Sequence, residues 1–101
     1  MASRMEIEQV IAERIMFFVR STGEREAAFL RVGLPVKIED ETWYCPYELR
    51  TDSRVKTFGM HGVDALQALE LTMKTLRVEV DYWERHQKGK FHFLDEEGAG
   101  I

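Results

Sequence analysis

The clearest pattern in the chain is a helical repeat of apolar residues between Gly62 and Gly89. Apolar side chains recur there at alternating spacings of three and four residues, which places them on one face of an α-helix. We therefore expect one long amphipathic helix with an apolar stripe that packs on another element. The predicted stripe consists of Leu66, Leu69, Met73, Leu76, Val80 and Trp83.

Both ends of this helix carry recognisable signals. Asp64 precedes the apolar run, and Gln67 lies three residues after Asp64. This is the spacing of a capping box with Asp at the N-cap. In that motif the Gln67 side chain reaches back to the amide of Asp64. Gly89 suits the left-handed position that often ends a helix.

The remaining segments alternate apolar and polar residues, which is the period of β-strands. We predict an α+β fold: an antiparallel sheet of about four meandering strands, one long helix packed on it and a short final strand. Before the helix, the predicted strands cover residues 9–21, 26–38, 43–50 and 54–60, and the final strand covers residues 90–94.

Length and composition indicate one domain. The chain has 101 residues, and a single domain over residues 1–101 accounts for all of it. Residues 1–8 and the acidic, glycine-rich residues 95–101 are expected to be flexible. The net charge of −4 and the dispersed basic residues argue against nucleic-acid binding.

The sequence also points to a cytoplasmic protein. No apolar run is long enough to span a bilayer, and the N-terminus lacks the apolar core of a signal peptide. Cys45 is the only cysteine, so an intramolecular disulfide and a thiolate-based zinc site are both excluded.

The first predicted strand carries bulky apolar residues on both faces. Phe17 and Val19 fall on one face, and Met16 and Phe18 fall on the other. A single helix covers only one face of a sheet. Either the sheet curls around the helix or a second copy covers the outer face, and the second alternative predicts a homodimer.

Two further features are candidates for an interface. Leu71, Val78 and Tyr82 form a second stripe on the polar side of the helix, at positions i, i+7 and i+11. They are either scattered surface residues or a contact for a subunit or partner. Tyr44 is the other candidate, because it lies on the strand face opposite Trp43 and Tyr47.

Little in the chain indicates catalysis. Cys45 and His61 are the only nucleophile and base that could act as a pair, and they approach each other if the third and fourth strands form a hairpin. A cysteine between aromatic residues in a strand is more often an inert, buried side chain. The three histidines match no metal-binding spacing, so neither a metal nor a cofactor is predicted.

Two motifs resemble those of a known family. The segment Trp-Tyr-Cys-Pro-Tyr at residues 43–47 is followed by Gly-Val-Asp-Ala-Leu-Gln-Ala-Leu at residues 62–69. Together they resemble a group of small bacterial proteins of unknown function, and the similarity covers about residues 12–94. The resemblance implies a bacterial single-domain protein and carries no catalytic residue with it.

Two hypotheses about function follow from the sequence. The first is a non-enzymatic, homodimeric interaction module that binds through the outer sheet face or through the stripe of Leu71, Val78 and Tyr82. The second is a ligand-binding or enzymatic domain whose site lies near Cys45 and His61. A thiol that reacts in the native protein would favour the second hypothesis.

Overall fold

The computed structural model describes residues 7–101, in which one antiparallel sheet carries one long helix. The helix, α1, spans Ala65–His86. This arrangement confirms the predicted α+β class and the single helix packed on a sheet. The strands are β1 (Val10–Arg20), β2 (Arg25–Gly33), β3 (Val36–Glu39), β4 (Thr42–Thr51), β5 (Val55–Gly62), β6 (Gly89–Phe93) and β7 (Glu96–Glu97).

The sheet has seven strands, so the expectation of about four meandering strands is corrected. The stretch predicted as one strand over residues 26–38 is divided at Leu34 and Pro35 into β2 and β3. Pro35 has no amide hydrogen for a ladder, which explains the break. The short strand β7 lies in the tail, where no strand was predicted.

All strand pairs are antiparallel. β5 pairs with β4 along residues 43–50, and β2 and β3 therefore share the other edge of β4. β1 lies beside β2, and β6 returns after the helix to pair with residues 17–20 of β1. Across the sheet the order is β5, β4, β2 with β3, β1, β6 and β7.

The helix start agrees with its prediction in part. Asp64 is the N-cap, and its Oδ1 accepts a hydrogen bond of 2.8 Å from the Gln67 amide. The Gln67 side chain, however, accepts from the Val63 amide rather than from that of Asp64. The capping therefore reaches one residue further upstream than a standard capping box.

The helix end differs from the prediction. The left-handed position is occupied by Lys88, with φ of 53°, and Gly89 is already the first residue of β6. Gly89 is required there by close packing, because a Cβ atom would lie 2.7 Å from Cζ of Phe18. Packing against β1, rather than helix termination, accounts for this glycine.

We call the sheet face against α1 the near face and the opposite one the far face. The small residues Ala68 and Thr72 are fully buried on the near face, whereas Leu66 is 68% exposed. A Cβ on Gly62 would lie 2.4 Å from the Ala68 nitrogen, which shows how closely the helix approaches the sheet. The inclusion of Leu66 in the buried stripe was therefore wrong, since small side chains occupy the closest approach.

A buried hydroxyl joins this part of the helix to two strands. The Thr72 hydroxyl donates a 2.6 Å hydrogen bond to the Cys45 carbonyl of β4 and accepts one of 3.2 Å from the Met60 amide of β5. Cys45 and Met60 are directly opposite each other in the ladder. One side chain thus bonds the helix to both strands.

The second half of the helix is held by a carboxylate. Glu79 accepts hydrogen bonds from the Tyr47 hydroxyl at 3.0 Å and from the Trp83 indole nitrogen at 3.1 Å. Burial and the neighbouring Glu79 carboxylate both raise the pKa of Tyr47, so its hydroxyl remains a donor. The polar tips of two buried aromatic residues are satisfied in this way.

The C-terminal tail completes the near face. The sequence predicted flexibility for residues 95–101, but Ala99 is buried in the core, and the Gly98 amide donates to the Phe91 carbonyl at 2.6 Å. Arg14 donates to the Ala99 carbonyl at 2.9 Å. Residues 1–6, for which flexibility was also predicted, lie outside the described residues.

Removal of the helix cap should destabilise the protein. We expect Asp64→Ala to lower the free energy of unfolding by about 1 kcal/mol, because the Gln67 amide loses its acceptor. Urea unfolding measures the change. Glu70→Ala, which removes an exposed carboxylate from the second turn of the same helix, is the control and should have little effect. Equal midpoints for Asp64→Ala and the parent protein would contradict the assignment of the cap.

Loss of the Thr72 hydroxyl should have a larger effect. Thr72→Val keeps the side-chain shape but removes a buried donor and acceptor, and we expect a loss of about 1–3 kcal/mol in urea unfolding. Thr75→Val is the matched control, since the Thr75 hydroxyl bonds only to the Leu71 carbonyl of its own helix. If both variants lose the same stability, the bond from Thr72 to the sheet is not important.

Candidate functional site

The far face of the sheet carries exposed apolar side chains. Residues directly opposite each other in an antiparallel ladder lie on the same face. Ile15 is opposite Phe29, Phe29 is opposite Arg50, and Arg50 is opposite Val55. Ile15 is 70% exposed, and Val55 is about half exposed. Within residues 7–101 the only helix lies on the other face, so no helix covers this row.

The middle of the far face is an ion-pair ladder. Arg31 forms ion pairs with Glu13 of β1 and, at 3.3 Å, with Glu48 of β4. Glu48 also pairs with Arg50 at 3.1 Å. The Arg31 guanidinium lies 4.0 Å from the centre of the Phe29 ring, so it stacks on the ring while it bridges the two acids. The ladder has two charges of each sign and provides no charge excess.

A groove of about 490 Å³ lies beside this ladder, where β1, β6 and the turn after β6 meet. Its floor is apolar, and its rim holds one cation, one histidine and one acid. The Arg25 guanidinium lies 4.3 Å from the centre of the Phe17 ring, which fixes it above the floor. The groove is lined by Ile15, Met16, Phe17, Val19, Arg25, His92, Leu94 and Asp95.

Tyr44 lies at the other end of the far face, but it is buried. Its ring is 4.9 Å from that of His61, and it fills the space above Gly59, where a Cβ would lie 2.6 Å from the Tyr44 ring. Pro46 is buried beside it. Tyr44 is a predicted contact residue, and in the structure its side chain is buried.

The second helix stripe does face outward. Val78 is 68% exposed, Tyr82 is also exposed, and Leu71 is half-buried. The Tyr82 ring stacks on His86 at a centroid distance of 4.0 Å, so part of its apolar surface is already covered. These residues remain a predicted contact, in competition with the far face.

Cys45 and His61 are not brought together. In the pairing of β4 with β5, Cys45 is opposite Met60 and His61 is opposite Tyr44. The side chains of Cys45 and His61 therefore point to different faces of the sheet. Cys45 is fully buried, and its Sγ lies 3.5 Å from the Gly33 carbonyl, to which it can donate. Burial raises the pKa of the Cys45 thiol, which disfavours the nucleophilic thiolate.

Other chemistry receives no support from side-chain grouping. Among residues 7–101, no three His, Cys, Asp or Glu side chains are placed to hold a metal ion together. α1, the helix of the described chain, lacks the continuous apolar length needed to cross a membrane.

The sequence indicated part of the groove and missed the rest. The alternation in β1 placed Phe17 and Val19 on the face away from Met16 and Phe18, as observed. Arg25, His92 and Leu94 were not recognised, because their position depends on the pairing of β1 with β2 and β6. Leu94 lies at the border of the tail, and its spacing gave no signal of a binding residue.

Comparison with known proteins gives one match. A family model described as a domain of unknown function (DUF6968) matches residues 12–101. The match covers both motifs, at residues 43–47 and 62–69. No curated protein and no solved structure matches the chain. No functional residue can therefore be transferred from a relative, and the geometry alone must support a function.

The burial of Cys45 gives a direct test of the enzymatic hypothesis. We expect the thiol to react with Ellman's reagent about 100-fold or more slowly in the native protein than in the urea-unfolded protein, since reaction requires opening of the core. Absorbance of the released product measures both rates. A native rate close to the unfolded one would show that the Cys45 thiol is accessible and reactive in the folded protein.

Proposed function

The chain belongs to the DUF6968 family, a domain of unknown function, and we propose that it is a non-enzymatic interaction module that forms a homodimer through its far face. The single observation that carries this proposal is the uncovered apolar surface of β1. Ile15 is 70% exposed and Phe17 is also exposed, and both lie on the face away from α1.

Burial of these side chains supplies the driving force. Full burial of a large apolar side chain is worth roughly 1.5–3 kcal/mol relative to exposure. In a two-fold dimer each residue contributes twice, since the same patch is used by both copies. Ile15, Phe17 and the partly exposed Phe29 therefore favour association of two far faces over their exposure to water.

The far face is large enough for such an interface. Six strands lie side by side in the sheet, and at about 4.8 Å between neighbours they span about 24 Å. β1 has 11 residues and at about 3.3 Å per residue is about 36 Å long. A typical stable interface buries roughly 800 Å² on each partner. Because β5, β6 and β7 are shorter than β1, such an interface would use most of the far face.

We also propose a bacterial cytoplasmic setting for the module. This part rests on the resemblance at residues 43–47 and 62–69 and on the single, reduced cysteine. Free, buried cysteines are typical of reducing compartments.

A pair of matched variants tests which surface associates. We expect the parent protein to be a dimer in native mass spectrometry and sedimentation equilibrium. Ile15→Lys should weaken the dimer about tenfold or more, because it places two charges in an apolar contact. Val78→Lys is the control, since Val78 is 68% exposed on the helix and differs from Ile15 mainly in its location.

Each result has a clear meaning. A monomeric parent protein would overturn the homodimer. A dimer that is disrupted by Val78→Lys and not by Ile15→Lys would move the interface to the stripe of Leu71, Val78 and Tyr82. A small molecule retained in native mass spectrometry would reassign the groove to a ligand. Circular dichroism of each variant confirms that the fold is kept.

A further inference from the structure

The turn between β6 and β7 is unusual in its residues. Phe93 is opposite Glu96, so Leu94 and Asp95 form a two-residue hairpin loop. Both have positive φ, 53° for Leu94 and 63° for Asp95. Turns of this kind favour Asn-Gly or Asp-Gly, and a left-handed conformation costs other residues roughly 1–2 kcal/mol each. Leucine is thus held in a conformation that disfavours it.

The same leucine is also the most exposed large apolar residue among those described, at 79%. It lines the groove together with Phe17 and Val19. Backbone strain that persists in a folded protein is concentrated at binding and functional sites. An apolar side chain that is both strained and exposed at the edge of a groove therefore points to a contact with another molecule.

The groove rim carries two opposite charges that pair with nothing in the described part of the chain. Arg25 stacks on Phe17 but takes part in no ion pair there, and Asp95 likewise has no cationic partner. The two charges lie at different levels along β1. Arg25 is opposite Val19. On the other side of β1, His92 is opposite Phe17, and the chain continues through Phe93 to Asp95, away from the level of Val19.

We propose that the turn of Leu94 and Asp95 anchors the dimer, an inference that rests on the proposed far-face association. Leu94 of each copy enters the groove of the other copy over Phe17 and Val19. Asp95 of each copy forms an ion pair with Arg25 of the other copy. The occupant of the groove is thus a second copy of this chain.

The reciprocal charges are the reason to choose a second copy over a different partner. In a two-fold interface, if residue i contacts residue j of the other subunit, then j contacts i. A patch with one free cation at one end and one free anion at the other complements itself when it is rotated by half a turn. Phe17 lies between the two charges and would be near the axis.

A charge reversal tests the ion pairs. We expect Arg25→Asp and Asp95→Arg each to raise the dimer dissociation constant about tenfold or more, because each change puts two like-charge contacts into the dimer. The double variant restores opposite charges and should dimerise within about threefold of the parent protein. Sedimentation equilibrium at one fixed salt concentration measures all four proteins.

A second pair of variants tests Leu94 independently of charge. Asn tolerates positive φ, so Leu94→Asn relieves the turn while it removes the apolar anchor. We expect a higher urea midpoint at a concentration where the monomer predominates, together with a dimer about tenfold weaker. Glu41→Asn is the matched control. Glu41 has φ of 54° in the β3–β4 turn, so its replacement should stabilise the fold equally and leave the dimer unchanged.

The outcomes separate this inference from the one on which it rests. A parent protein that is a monomer overturns both. In another outcome, Ile15→Lys weakens the dimer, but the double charge variant has a dissociation constant no lower than those of the single variants. This result overturns the anchor and keeps the far-face interface. The same conclusion follows if Leu94→Asn leaves the dissociation constant unchanged. Rescue by the double variant, together with a weaker Leu94→Asn dimer, supports the anchor.

Discussion

One helix must cover a sheet that is six strands wide, and much of the structure follows from that limit. α1 packs mainly on β4, β5 and β6, and it contacts β1 and β2 less extensively. The C-terminal tail adds to the cover there: Ala99 is buried in the core, and Ile101 lines a small pocket with Leu30 and Val32. Among residues 7–101 no comparable segment covers the other side, and we propose that a second copy of the chain covers its apolar residues.

The helix reaches the sheet through small and polar residues. Ala68 and Thr72 allow a close approach, and the Thr72 hydroxyl then satisfies backbone groups of two strands at once. Further along, Glu79 accepts from Tyr47 and Trp83 where larger rings separate the layers. Buried polar groups with all their partners in place define one position for the helix, whereas an apolar contact alone would tolerate sliding.

Local rules of the sequence predicted the elements well and their arrangement less well. Asp64 was identified as the helix cap because the signal lies within four residues. Leu66 was placed in the core because the periodicity argument considers only large apolar residues. The distance between the helix and the sheet is instead determined by the small residues Ala68 and, on the facing strand, Gly62. The groove could not be predicted, since Arg25 and Leu94 line it together only because β1 pairs with both β2 and β6, and β6 is distant from β1 in sequence.

The two ends of the described chain leave the sheet on different sides. A Cβ on Gly33 would touch both Pro46 and Ile7, which places Ile7 on the far face. Ile101 instead lines a pocket with Met73 of α1, on the near face. An affinity tag or a reporter joined before Ile7 would therefore emerge beside the surface that we assign to the second copy, and it could block assembly by its bulk. A fusion after Ile101 emerges on the helix side, which makes it the better handle for immobilising the protein with its association intact.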